Sequence, residues 1–163
     1  NGKFTIEPKQ IYQICLDAQL AAIDKVRKGN NWNNPHTAAV KTITRGLKKL
    51  GLLKGNIKDL ISKEIYKKFF MHGTGHWIGM DVHDVGDYKI DGHWRELEPG
   101  MILTIEPGIY IPKGTKGVHK KWHGIGIRIE DDVLVTNGEP DVLTRDAPKS
   151  IEAIEKFMSK SNA

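Results

Sequence analysis

One cysteine is all this chain carries, so an intrachain disulfide framework is excluded. That fits a reducing compartment, and a cytoplasmic location is the expectation. Cys15 falls on the apolar side of a helical pattern and reads as a buried, inert thiol rather than a nucleophile. No run of 18 or more apolar residues occurs, which excludes a transmembrane helix of ordinary length. Asn1-Gly2-Lys3-Phe4-Thr5 has neither an apolar signal core nor an Arg-rich amphipathic presequence. There is no glycine-rich nucleotide loop, no CxxC pair, no serine nucleophile elbow, no internal repeat and no low-complexity tract. Aromatic residues make up only 7% of the chain. The net charge of +5 raises nucleic-acid binding as a hypothesis. The lysines are scattered over helices without an interleaved aromatic platform, which reads as a solvated helix surface.

What is present is an α+β pattern. With 163 residues, of which 39% are hydrophobic and 28% charged, a single soluble domain over 1–163 is expected. The first part, about 5–69, reads helical. Ile11, Ile14, Cys15, Ala18, Ala22 and Val26 form one apolar stripe. Asn34-Pro35 reads as N-cap and first turn of a second helix whose stripe is Ala39, Ile43, Leu47 and Leu50. Ile57, Leu60, Ile61, Ile65 and Phe69 predict a third. From about 70 to 144 the chain turns to glycine, β-branched residues and period-2 alternation. Residues 87–96 and 112–122 read as polar loops. A closing helix at about 148–159 turns Ile151, Ile154 and Phe157 or Met158 inward. The helices are expected to pack on one face of a curved, mostly antiparallel sheet.

Three segments carry chemistry. In the first, His72, His76 and His83 lie among glycines that disfavour a helix, so an extended or looped path is expected. His72 and His76 then share a face, and His83 needs a turn or bulge to join them. In the second, the apolar run Met101-Ile102-Leu103-Thr104-Ile105 ends on Glu106, with Pro107-Gly108 kinking the chain. Glu98-Pro99-Gly100, just upstream, reads as an ordinary turn. In the third, Arg128 and Glu130 share a face opposite Ile127 and Ile129, and Asp131-Asp132 are expected solvated in a following hairpin turn. A buried acid costs free energy unless a cation or donor compensates it. One histidine and two carboxylates suit Mn²⁺, Co²⁺ or Zn²⁺. The residues alone therefore indicate metal-assisted hydrolysis.

At these segments the sequence resembles the aminopeptidase P (Xaa-Pro aminopeptidase) family of the pita-bread metallopeptidases. The resemblance runs from Asn1-Gly2-Lys3-Phe4 to Lys149-Ser150-Ile151-Glu152. It rests on Phe70-Met71-His72 through His83-Asp84-Val85-Gly86, on Leu97-Glu98-Pro99-Gly100-Met101, and on Gly124-Ile125-Gly126-Ile127-Arg128-Ile129-Glu130-Asp131-Asp132. It implies a pita-bread fold in which His76, Glu106 and Glu130 are metal ligands. Glu106 would also assist proton transfer, and Glu130 would bridge two ions, Mn²⁺ in the intact enzyme. His72 and His83 would hold the scissile carbonyl and the proline end of the substrate, and Arg128 would order the site. The implied substrates are peptides with proline at the second position, with no nucleic-acid or membrane partner.

The family's site uses two further aspartates on strands that precede the first helix, and this chain begins at that helix. The expectation is a C-terminal catalytic-domain fragment that binds no ion or one weakly, is inactive alone, and forms a homo-oligomer through uncovered edges. Prolidase is the alternative enzyme. A non-catalytic pita-bread binding module is the alternative of another class.

Overall fold

Helix α1 (Ile6–Ile23) follows Thr5, whose extended backbone starts it. Ile11, Cys15, Ala18 and Ala22 are buried along one stripe. The helix stops at Ile23, so Val26 reaches the core from the turn beyond. A computed structural model of the chain describes residues 2–160. Asn1, the first residue of the resemblance, lies outside them.

Helix α2 (Asn33–Lys49) starts ahead of the expected Asn34 cap. Asn31 Oδ1 accepts the Asn33 N–H at 3.0 Å, and Asn34 Oδ1 accepts the Asn31 N–H at 2.7 Å. The capping therefore falls to Asn31, and Asn34 braces the cap from inside the helix. Helices α1 and α2 pack so closely that a Cβ on Gly46 would come within 2.6 Å of Ile14 Cγ2. Gly46→Ala is expected to cost about 2 kcal/mol, read from a denaturant midpoint shift, because Ile14 must leave its place.

The third helical stretch is not one helix. Helix α3 (Ile57–Ser62) is capped by the Asn56 side chain, which accepts from Lys58 N at 2.8 Å. Glu64 then takes a left-handed conformation at φ 53, and a 3-10 turn covers Ile65–Lys68. The break rotates the pattern by one residue. Tyr66 is buried and Ile65 is exposed, contrary to expectation. It also delivers Phe69 and Phe70, both fully buried, to the sheet.

The loop expected at 87–96 contains a small hairpin, β1 (Lys89–Ile90) with β2 (His93–Trp94), turned by Asp91-Gly92 with positive φ at both residues. The rest of the sheet is one long bent hairpin. Strand β3 (Ile102–Ile105) leads past Glu106-Pro107 into β4 (Gly108–Ile111). Strand β5 (Ile125–Arg128) leads past Ile129-Glu130 into β6 (Asp131–Leu134). β4 pairs with β5, and β3 with β6, all antiparallel. Strand β7 (Asp141–Val142) adds to β6. Helix α1 lies against β3, β4 and β5, so helices cover one face. Helix α4 (Ile151–Lys160) closes the chain against α1. Ile151 is buried, but Phe157 and Met158 are exposed rather than inward. No helix among the described residues is long and apolar enough to cross a membrane.

Cys15 is fully buried under the bend, with its thiol 3.1 Å from the Pro107 carbonyl. Burial pushes its pKa up to about 12. Cys15 is expected to react with a thiol reagent only as fast as the protein opens, checked by absorbance with and without denaturant.

Candidate metal centre

The two arms of the hairpin keep one register. One step beyond Ile105↔Asp131 brings Glu106 opposite Glu130, and one more brings Pro107 opposite Ile129, before the ladder resumes at Gly108↔Arg128. Pro107 has no N–H to give the ladder, and only a long Ile129 N–H to Pro107 carbonyl contact of 3.5 Å spans the gap. Two acids thus face each other where the ladder opens. Like charges opposite one another destabilise a hairpin unless a cation sits between them. Glu106 follows the last residue of β3, and the expected kink falls at Glu106-Pro107 before the chain continues as β4.

His76 arrives from the irregular segment 72–88, which runs beside β3 as a broken edge. Glu106 N–H donates to Thr74 O at 2.7 Å, Thr104 N–H to His76 O at 2.9 Å and Ile78 N–H to Ile102 O at 3.4 Å. The close approach requires Gly75, where a Cβ would come within 1.8 Å of the Thr104 carbonyl oxygen. His76 Nδ1 lies 2.9 Å from the Trp77 carbonyl, which can only accept, so Nδ1 carries the proton. Nε2 is thus left to face Glu106 Oε1, at 3.3 Å, where a cation could take its lone pair. Donor atoms of His76, Glu106 and Glu130 all lie within 4.8 Å of one another. Among the described residues no other such group occurs.

Glu106 is buried and held at both oxygens. The Thr104 hydroxyl donates to Oε1 at 3.2 Å and Arg128 Nη1 to Oε2 at 3.0 Å. Thr104 Oγ1 also accepts the His76 N–H at 3.0 Å, tying two of the three donors together. Arg128 reaches across to Glu106 rather than along its own strand to Glu130. Partial burial, and then the Glu106 charge, hold the Glu130 carboxyl above the usual carboxylate range. The donor set fits a divalent cation: an imidazole oriented through Nδ1 by a backbone carbonyl and two acids whose repulsion a cation would relieve.

His72 stands beside this group. Its Nδ1 is 2.6 Å from the Gly73 carbonyl, leaving Nε2 to accept the Tyr110 O–H at 3.0 Å. Arg128 Nε donates to the same hydroxyl at 2.8 Å. This hydrogen bond is the main reason the Arg128 pKa is raised. His83 comes back to the site through a turn closed by Asp84 N–H on the Trp77 carbonyl at 3.0 Å. Its exposed ring meets His76 edge-on, with centroids 4.3 Å apart. The ends of this loop are fastened by aromatic packing: Trp77 lies 4.2 Å from Trp32 and stacks on Tyr88 at 6.1 Å.

All six expected site residues therefore meet in one place. The sequence reading missed Thr104 and Tyr110. Tyr110 sits two residues past Gly108, opposite Gly126 in the ladder, a signal visible only once the hairpin register is known. Asp131 is a correction. It lies on β6, not in a solvated turn, and is 1% exposed. It accepts from Lys149 Nζ at 2.8 Å, Gln19 Nε2 at 2.9 Å and the Thr144 hydroxyl. No hairpin turn follows Glu130, because the strand simply continues.

Comparison with known proteins bears on the family and the fold. A Xaa-Pro aminopeptidase of Haemophilus influenzae is 44% identical over 159 residues, covering 98% of this chain and 36% of that protein. The structure of Pseudomonas aeruginosa aminopeptidase PepP superposes with a TM-score of 0.98 at 52% identity, over 99% of this chain and 37% of that one. Escherichia coli aminopeptidase P with the inhibitor Pro-Leu gives 0.94 at 42% identity, over 99% and 36%. The chain spans about a third of the length of the curated relatives it matches. It has the pita-bread fold of these neighbours, with its sheets not closed. The family model for metallopeptidase family M24 matches residues 1–137, and the chain belongs to that family.

Proposed function

We propose that this chain supplies part of the catalytic centre of a metal-dependent Xaa-Pro aminopeptidase, which hydrolyses the bond before a proline at the second position. The observation that carries the reading is the meeting of His76 Nε2 with the facing carboxylates Glu106 and Glu130. The names of the matched relatives point to the same activity. His76, Glu106 and Glu130 would hold the ion, with Mn²⁺ the expected metal. A divalent ion bound there supplies Lewis acidity and activated water.

The chain's own residues do the rest. Thr104 and Arg128 fix both oxygens of Glu106, so its carboxylate is oriented before substrate arrives. His72 can take up a proton at Nε2, with the Tyr110 hydroxyl as its partner and Arg128 polarising that hydroxyl. His83, exposed at the rim, would contact the proline end of the substrate.

Three donors make an open shell, and a two-ion site needs further carboxylates. The chain alone is therefore expected to show no turnover on Xaa-Pro peptides with added Mn²⁺, while a polypeptide of the relatives' length does. Cleavage by neither, or equal cleavage of peptides with alanine at the second position, would sink the reading. Cleavage confined to dipeptides ending in proline would make the enzyme a dipeptidase. Met80, Val82 and Val85 are exposed on the loop that carries His83, and self-association of the chain is expected in light scattering.

Metal affinity should also follow pH. Because the Glu130 pKa is raised, the ion must displace a proton there at a pH where an ordinary carboxylate has already lost it. Affinity should fall as pH drops through that raised value. Calorimetry in buffers of different ionisation enthalpy should record proton release on binding.

A further inference from the structure

Thr74 is flanked by Gly73 and Gly75, is itself buried, and lies two residues before His76. Its carbonyl accepts the Glu106 N–H at 2.7 Å. The backbone of Thr74 thus links the segment that carries one candidate ligand to the residue that supplies another. Its hydroxyl is 2.8 Å from Nδ1 of His36, on the first turn of α2. His36 packs on Phe70, with centroids 5.7 Å apart, and Phe70 meets His72 edge-on at 5.1 Å. Burial is the main cause that lowers the His36 pKa, with Lys67 and His72 adding to it, so the ring is neutral at pH 7. A neutral ring can pair with the hydroxyl in either tautomer.

What surrounds this contact gives it weight. A cavity of about 430 Å³ is lined by Trp32, His36, Val40, Gly73, Thr74 and Gly75, among others. The glycine-flanked backbone is therefore not buttressed by packed side chains on that side. Two glycines leave the chain wide conformational freedom; the hydrogen bonds to Thr104 and Glu106 restrict it on the β3 side, and the His36 contact ties it to α2 on the other.

We propose that His36 is a positioning residue for the metal centre, acting through the Thr74 hydroxyl to hold His76 and Glu106 at ligating distance. The proposal rests on the metal-centre reading above. Its test is titration of the protein with Co²⁺, followed by visible absorption and calorimetry, alongside thermal melting. Thr74→Val keeps the side-chain shape and removes only the hydroxyl. It and His36→Ala are each expected to weaken Co²⁺ binding about 10-fold. The double variant should be no weaker than either single one, because both remove the same bond. His36→Asn places a polar atom where Nδ1 sits and should bind Co²⁺ almost as well as the parent. A purely structural contact would lower the melting temperature of Thr74→Val and leave the Co²⁺ affinity unchanged, and that result overturns the proposal. His76→Ala is the control. If it leaves Co²⁺ binding intact, the metal centre fails and this proposal with it. If it abolishes binding while both single variants bind like the parent, this proposal alone fails.

Discussion

Glu106→Gln is expected to weaken divalent-metal binding at least about 100-fold, more than the loss of any supporting hydrogen bond would. The substitution keeps the size of the side chain and a carbonyl that Arg128 or Thr104 can still reach. It removes one of the two facing charges. Without metal the variant should be about as stable as the parent, because losing the Arg128 ion pair is offset by ending the repulsion with Glu130. With metal the two should separate. An ion at 100 times its dissociation constant stabilises the folded parent by about 2.7 kcal/mol, and the variant gains almost nothing. Melting curves recorded with and without Mn²⁺ read this difference directly. A variant whose melting point still rises with the ion would place the binding elsewhere.

Lys149→Met should give the largest loss of stability. Asp131 is buried in β6, and Lys149 is the one cation paired with it among the described residues. Removing one partner of a buried pair leaves an uncompensated charge and costs about 3–5 kcal/mol. For a chain of this size that lowers the melting temperature by roughly 10 °C. The same lysine's backbone carbonyl accepts the Tyr12 hydroxyl at 2.7 Å, just ahead of α4. Loss of the ion pair should therefore loosen α4 first, seen as faster hydrogen exchange over 151–160. The double variant Lys149→Met, Asp131→Asn should recover much of the loss, because the carboxylate charge is then gone. A single variant as stable as the parent would show that Gln19 and Thr144 suffice for the acid.

The segments that hold this chemistry were legible because their residues break local rules. Glu106 ends an apolar run, and glycines surround three histidines. The alternation of Arg128 and Glu130 against Ile127 and Ile129 is a backbone property and could be read from spacing alone. Asp131 was misread because its compensation is non-local. Gln19 and Lys149 lie far from it in the chain, and no local pattern announces them. The third helix failed for a different reason. Apolar spacing continued through Ile65, but Glu64 adopts a left-handed turn that lets Tyr66, Phe69 and Phe70 pack. Tertiary burial outweighed helical periodicity there. Tyr110 and Thr104 lie inside apolar strands and gain meaning only from the cross-strand register.

That register sets where this chain can change length. The span between Ile111 and Ile125 joins the two arms at their tip, so residues added in its largely exposed part, 112–117, leave every rung below it and the buried Trp122 in place. One residue inserted into a single arm between the tip and the bend would shift the rungs beyond it. Glu106 would then face Ile129 or Asp131 instead of Glu130. The same lesion would turn one carboxylate toward α1 and the core. Tolerance to insertion should therefore divide sharply along the hairpin, free at its tip and absent in its arms.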